Sequence, residues 1–235
     1  MNTDFFRGMR HGIPIALGYL SVSFGFGILA VKSGLSAMSA VIISMTNLTS
    51  AGQAAGVAII ASAGTLIEMA LTQLIINIRY ALMAMSLSQK LDSSFNTPRR
   101  MAVAYGITDE IFAVASAQPG NIVPRYMYGL ILISFLGWTA GTALGAMAGQ
   151  LLPASVIDAM GIVLYGMFLA IIIPPARKMR SVLIVVVLAA LISVLFKYLI
   201  PQVSSGFVII ISAVVSAAVG AALFPQRFEE EEQAQ

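Results

Sequence analysis

Apolar residues in this chain come in long runs, not in alternation. The stretches 12–31, 36–61, 127–149, 156–176, 181–200 and 206–224 each hold about 20 residues with few charges, the length a helix needs to cross a bilayer. They lack period-two alternation and are too long for barrel strands. Two further runs, 64–88 and 101–117, carry polar residues within them. The pattern predicts an all-α integral membrane protein with six to eight transmembrane helical runs. One transmembrane domain over 1–228 and a disordered acidic tail at 229–235 are expected.

The breaks between runs are short and rich in glycine, proline and serine, as at Lys32-Ser33-Gly34 and Leu152-Pro153-Ala154. Basic residues cluster at Arg7-Arg10, Lys90-Arg99-Arg100, Arg177-Lys178-Arg180 and Arg227. If all four clusters face the cytoplasm, along with the amino terminus, an even number of crossings separates successive clusters. The interval 181–224 has two runs and complies, but 12–88 and 101–176 each have three. One member of each triplet carries a polar break, MTNLTSAGQ at 45–53 and GITDE at 106–110. Irregular backbone survives at membrane depth where it is buried in protein or lines a wet cavity. Two discontinuous or re-entrant segments are therefore expected, near 45–55 and 106–120. Eight full crossings, with one basic loop on the wrong side, is the alternative.

Short echoes hint at an internal two-fold repeat over 12–88 and 127–200. Asn77-Ile78-Arg79-Tyr80 matches Leu195-Phe196-Lys197-Tyr198, and Ser23-Phe24 matches Ser134-Phe135.

Composition agrees with the membrane reading. Hydrophobic residues make up 59% and charged ones 10%, where a soluble domain is about one quarter charged; mean hydropathy is +0.92. With no cysteine, disulfides and thiolate metal sites are excluded. The single histidine, His11, excludes a two-histidine zinc site. No metal or cofactor is expected. A net charge of +3 gives no argument for nucleic acid. The first 11 residues are too short for a cleaved leader, and the full-length run after them is expected to stay as the first helix.

Three places could carry chemistry. Asp109 and Glu110 are flanked by apolar residues on both sides. A charge at the bilayer centre costs about 2.5 kcal/mol or more and usually faces a cavity. Neighbouring carboxylates repel and burial disfavours charge, so one of them is suited to carrying a proton; the bland alternative is a surface loop. In run 64–88, Glu68, Thr72 and Arg79 fall on one helical face, and Gln73 and Asn77 form a second polar row. Arg79 either snorkels to the interface or binds a carboxylate, from a substrate or from Asp109 or Glu110. Glu68 is a further candidate for proton coupling. Third, Thr49, Ser50, Gly52 and Gln53 lie in the first break. There a half-helix amino terminus would receive an anionic group; a simple kink is the alternative.

Gly137, Gly141, Gly145 and Gly149, and separately Ser212, Ser216 and Gly220, form small-residue ridges. Such ridges serve packing within the chain or docking of a second subunit. Gly25 and Gly27 either do the same or break the first helix. An enzyme without cysteine or a buried histidine would need a Ser-Lys or a carboxylate pair. Ser193 and Lys197 lie four apart in an apolar run, a spacing that more often means a snorkelling lysine, and the protein is not expected to be an enzyme.

Ile13-Pro14, SFGFGILAVKSGLS, SAGQ, NIRY and GITDE follow one another in this order. Together they resemble the AzlC/YgaZ family over residues 8 to about 120. The resemblance implies the large subunit of a bacterial plasma-membrane exporter of valine, leucine, isoleucine and perhaps methionine, driven by proton antiport. It also implies a small AzlD-like membrane partner. Matched residue by residue, Gly52-Gln53, Arg79 and Thr108-Asp109-Glu110 are the family's positions. Substrate contacts are then expected at Thr49, Ser50, Gly52, Gln53, Asn77, Arg79 and Thr108, with Phe24, Phe112 and Met45 around the aliphatic side chain. Tyr80 stands where the family usually has histidine, so a side chain that titrates near neutral pH is missing. A carrier of another small solute, or a non-transporting channel or scaffold, is the alternative function.

Overall fold

The computed structural model describes residues 3–148 and 172–224, with positions 153, 155, 166 and 169 between them. The acidic tail, Gly149 and most of the run 156–176 lie outside the described residues. Regular structure among the described residues is helical, apart from one isolated bridge between Leu91 and Ile122. The helices are α1 (Thr3–Lys32), α2 (Ala37–Thr46), α3 (Ser50–Ala61), α4 (Leu66–Ser88), α5 (Thr97–Tyr105), α6 (Asp109–Ser116), α7 (Pro124–Ala148), α8 (Arg180–Leu199) and α9 (Ser205–Leu223). Of these, α1, α4, α7, α8 and α9 are long and apolar enough to span a membrane. The chain divides into two compact units, residues 1–167 and 168–235.

In the first unit, α1 and α7 pack along most of their length. A β-carbon on Gly129 would overlap the backbone of Phe5. The same holds for Gly137 with Ala16, Gly141 with Leu20 and Gly145 with Phe24. Numbers rise together along both helices, so they run parallel. From the α1 side, Gly8 meets the backbone at Tyr126, and Gly27 meets that at Thr142 and Ala146. The glycine ridge of α7 is therefore used for packing within this chain, through the close approach that small residues allow.

The ends of the other helices fix the topology. Lys90 Nζ donates to the carbonyls of Ser116 (2.6 Å) and Gln118 (2.8 Å). Gln118 Nε2 lies 3.4 Å from His11 Nδ1, which is 3.0 Å from the Tyr126 hydroxyl. The early turns of α1 and α7 thus meet the carboxyl ends of α4 and α6 at one end of the unit, so α4 runs antiparallel to α1. The start of α5 is held at the same end, because Phe95 shares a buried cluster with Leu87 and Ile122. At the opposite end α1 turns into α2 through Gly34, whose φ of +90° favours glycine. There too α3 turns into α4 through residues 62–65, with Gly64 N–H donating to the Ile59 carbonyl at 2.8 Å.

It follows that 37–61 enters and leaves by one end, and 97–116 by the other. Neither crosses. At 1.5 Å per residue, α2 and α5 each rise about 15 Å, roughly half of a hydrocarbon core about 30 Å thick. The tips of the two re-entrant hairpins meet: the Tyr105 hydroxyl donates to the Met45 carbonyl. The break residues Leu48 and Ile107 share the buried cluster with Tyr19, Ile111 and Trp138. Eight full crossings is not the arrangement these contacts give.

In the second unit, residues 172–178 are helical, and α8 and α9 form an antiparallel pair. Ser193 hydrogen-bonds to Ser212 (3.0 Å), and a β-carbon on Gly220 would overlap Val185. The second small-residue ridge thus packs α9 on α8. Ser193 uses its hydroxyl there, and Lys197 lies 5.9 Å from the ring centre of Tyr198.

Candidate functional site

Each hairpin tip replaces helix with three residues of irregular backbone, whose polar groups need partners. At the first tip, Asn47, Leu48 and Thr49 separate α2 from α3. Thr49 is in the cap position of α3, but its hydroxyl donates to Asn47 Oδ1 (2.8 Å), so no side chain caps the first-turn N–H groups. Gln73 of α4 ties the tip down: its Nε2 donates to the Gly52 carbonyl (2.7 Å), and its Oε1 accepts from Asn77 Nδ2 (3.0 Å) and Asn47 Nδ2 (3.5 Å). The break itself precedes Gly52, which lies in the first turn of α3. Its lack of a side chain matters for room, since a β-carbon would overlap Thr49 Oγ1 and Gln73 Oε1.

Gln53 is fully buried. Its Nε2 donates to Ser44 Oγ (2.9 Å) and its Oε1 accepts from the Trp138 indole (3.0 Å). Ser44 Oγ is 2.6 Å from Thr142 Oγ1. This chain of bonds fixes α2 and α3 to α7. Both ends of the Gln53 amide are engaged, so its influence on the site runs through the position of α3. Asn77 Oδ1 and Thr72 Oγ1 are buried with no hydrogen-bond partner among the described residues.

At the second tip, Gly106, Ile107 and Thr108 separate α5 from α6. Thr108 caps α6 by accepting from the Ile111 N–H (3.4 Å). Asp109 and Glu110 occupy the first turn of α6, where the helix dipole favours negative charge. Their surroundings differ. Asp109 Oδ2 is 2.8 Å from Arg79 Nη1 on α4. Glu110 Oε2 is 2.5 Å from the Tyr19 hydroxyl, which is also 2.5 Å from Thr108 Oγ1. Tyr19 is buried and packs edge-on against Trp138 at 5.1 Å. The side chains of Arg79 and Asp109 are each 45% exposed, so this chain does not enclose the ion pair. Tyr80 supports the guanidinium: its hydroxyl accepts from Arg79 Nη2 (3.3 Å), and Arg79 Cζ lies 5.0 Å from the ring centre.

Thr49, Asn77, Arg79, Thr108, Asp109 and Glu110 thus border the region where the tips meet, with Ser50 at the start of α3. Glu68 is elsewhere. It is buried in the first turn of α4, against Gly64, at the far end of the unit. Eleven residues of unbroken helix put it about 16 Å from Arg79. Phe112 packs against the buried cluster. Tyr19, Ser44, Tyr105 and Trp138 were not singled out from sequence. Tyrosine and tryptophan in apolar helices do signal a hydroxyl or indole seeking a partner, but not which partner. Among the described residues no group of three potential metal ligands converges.

The family model for AzlC protein matches residues 14–152, more than half of the chain. The chain belongs to the AzlC family. The AzlC match spans α1 to α7 and so holds both hairpins and the ion pair. The chain is also similar to an uncharacterized membrane protein of Archaeoglobus fulgidus, 31% identical over 172 residues, which are 72% of this chain and 75% of that protein. It is 27% identical to the inner membrane protein YgaZ of Escherichia coli over 208 residues, 85% and 84% of the two chains. No solved structure matches. With five apolar helices of spanning length among the described residues, this AzlC-family chain is an integral membrane protein.

Proposed function

We propose that this chain is the large subunit of a secondary transporter that exports valine, leucine and isoleucine across the bacterial inner membrane by proton antiport. Methionine is a further substrate, and a small AzlD-like membrane protein is the partner. The observation that carries the reading is the open Arg79–Asp109 pair where the two hairpin tips meet. An α-amino acid bears the same two charges as this pair. Its carboxylate takes the guanidinium in place of Asp109, and its ammonium takes Asp109. Asn77 Oδ1, a buried acceptor without a partner, adds a hydrogen bond to the ammonium. The uncapped N–H groups at Ser50 favour the carboxylate side.

Orientation follows from charge. Arg7, Arg10, Lys90, Arg99, Arg100 and Arg125 lie at or near one end of the first unit, and Lys32 at the other. The positive-inside rule puts the first of these ends, with the amino terminus, in the cytoplasm.

The test is efflux from cells preloaded with branched-chain amino acids, with the partner co-expressed and membrane abundance matched. Asp109→Asn removes a charge-assisted bond worth about 1.5–3 kcal/mol, so efflux at low substrate should fall roughly 10- to 100-fold. Wild-type efflux no faster than that of empty cells rejects the exporter reading.

A further inference from the structure

We infer that the two adjacent carboxylates have separate tasks, divided by Tyr19: Glu110 takes up and releases the proton, while Asp109 keeps its charge for Arg79 and the substrate ammonium. The substrate half of this statement rests on the exporter reading; the proton half does not.

The charge count comes first. The tips bring together two carboxylates and one guanidinium, and that guanidinium is bonded to Asp109. Glu110 is the surplus charge, and Tyr19, its hydrogen-bond partner, is neutral. The ionisable groups facing Glu110 are Tyr19 from α1, Tyr80 from α4 and Asp109 beside it, with Arg79 held on Asp109.

Hydrogen-bond chemistry separates the two carboxylates further. Arginine is only a donor. A proton on Asp109 would remove the charge that strengthens its bond to Arg79. Tyr19 can do either job. Its hydroxyl lies 2.5 Å from both Glu110 Oε2 and Thr108 Oγ1. With Glu110 charged, Tyr19 donates to Glu110 and accepts from Thr108. With Glu110 protonated, Tyr19 turns its hydrogen to Thr108 and accepts from the Glu110 O–H. Both contacts survive proton transfer, so the carboxyl can load and unload without leaving a buried hydroxyl unpaired. Glu110 is exposed in this chain, so the protein itself does not seal it off. Tyr19 is a positioning residue in this scheme.

Infrared difference spectroscopy of the full-length chain in lipid, acidified stepwise without substrate, tests the assignment. The first of the two carboxyls to protonate should be the one removed by Glu110→Gln; Asp109→Asn should leave that component in place. Tyr19→Phe should keep the component but move its carbonyl stretching frequency, because a hydrogen bond to the carboxyl is lost. Loss of the first component in Asp109→Asn, its survival in Glu110→Gln, or an unmoved frequency in Tyr19→Phe overturns the inference. If Glu110→Gln fails to fold, the Tyr19→Phe frequency alone decides. The readout needs no substrate, so absent efflux rejects the exporter reading and leaves this assignment to its own test.

Discussion

At residue 79 the shape of the side chain matters as much as its charge. Arg79 bonds Asp109 through one terminal nitrogen, bonds the Tyr80 hydroxyl through the other, and packs over the Tyr80 ring. A lysine is a compact point charge without that planar fork. Arg79→Lys should therefore weaken substrate binding about tenfold, and Arg79→Ala by more, as read by binding to the purified protein; a lysine variant with wild-type affinity would reduce Arg79 to its charge. Gln53 makes the contrasting case. Gln53→Leu would leave the Trp138 indole N–H without its buried acceptor, at roughly 1–3 kcal/mol, while Ser44 keeps Thr142. Its thermal unfolding midpoint should fall by several degrees. Sequence marked both residues by one signal, a polar side chain in an apolar run. It had no means of telling an open ion pair from a buried tie, since that depends on Ser44, Trp138 and Asp109 arriving from other helices. Tyr19 gave the weakest signal of all: an aromatic residue in an apolar helix reads as core until Thr108 and Glu110 are placed beside its hydroxyl.

Helices α5 and α6 are too short to be stable alone, since isolated helices under about 12–15 residues are marginal in water. Their stability comes from their ends and neighbours. For α6, Thr108 caps the amino end, Asp109 and Glu110 complement the dipole there, and Lys90 bonds carbonyls at the carboxyl end. Lys90→Met should cost about 1.5–3 kcal/mol. The loss should show as faster amide hydrogen exchange over 109–116 than over α7; equal protection in the variant would mean that packing alone holds α6. The parallel contact of α1 and α7 depends instead on absent side chains. A β-carbon at Gly141 would overlap the Leu20 carbonyl and Ser23 Oγ, so Gly141→Val should force the helices apart and sharply lower the yield of folded protein. The two breaks were legible in sequence because basic clusters fix the parity of crossings, whatever the contacts. The α1–α7 pairing was not. A glycine ridge announces a close approach without naming the partner, and here the partner lies more than a hundred residues away.

For residues 3–148 as a whole, the fold sets the sidedness of four loops. The turns at 33–36 and 62–65 share one end, and those at 89–96 and 117–123 share the other. The chain has no cysteine, so single cysteines can be placed without removing any native one. In intact cells a membrane-impermeant maleimide should label Ser33→Cys and Ser62→Cys. Ser93→Cys and Asn121→Cys should react after the inner membrane is opened. Labelling of Ser33→Cys and Ser62→Cys from opposite sides would mean that 37–61 crosses the membrane, and the re-entrant fold would be wrong. A pattern inverted as a whole would leave both hairpins standing and turn the basic end outward against the positive-inside rule. The consequence for transport follows from the same geometry. Hairpins that enter from opposite faces and touch through Tyr105 and Met45 place the ion pair near mid-depth, about half a membrane from either side. In the proposed exporter, small movements of either tip would open the pair to one face while the other stays closed, as alternating access requires.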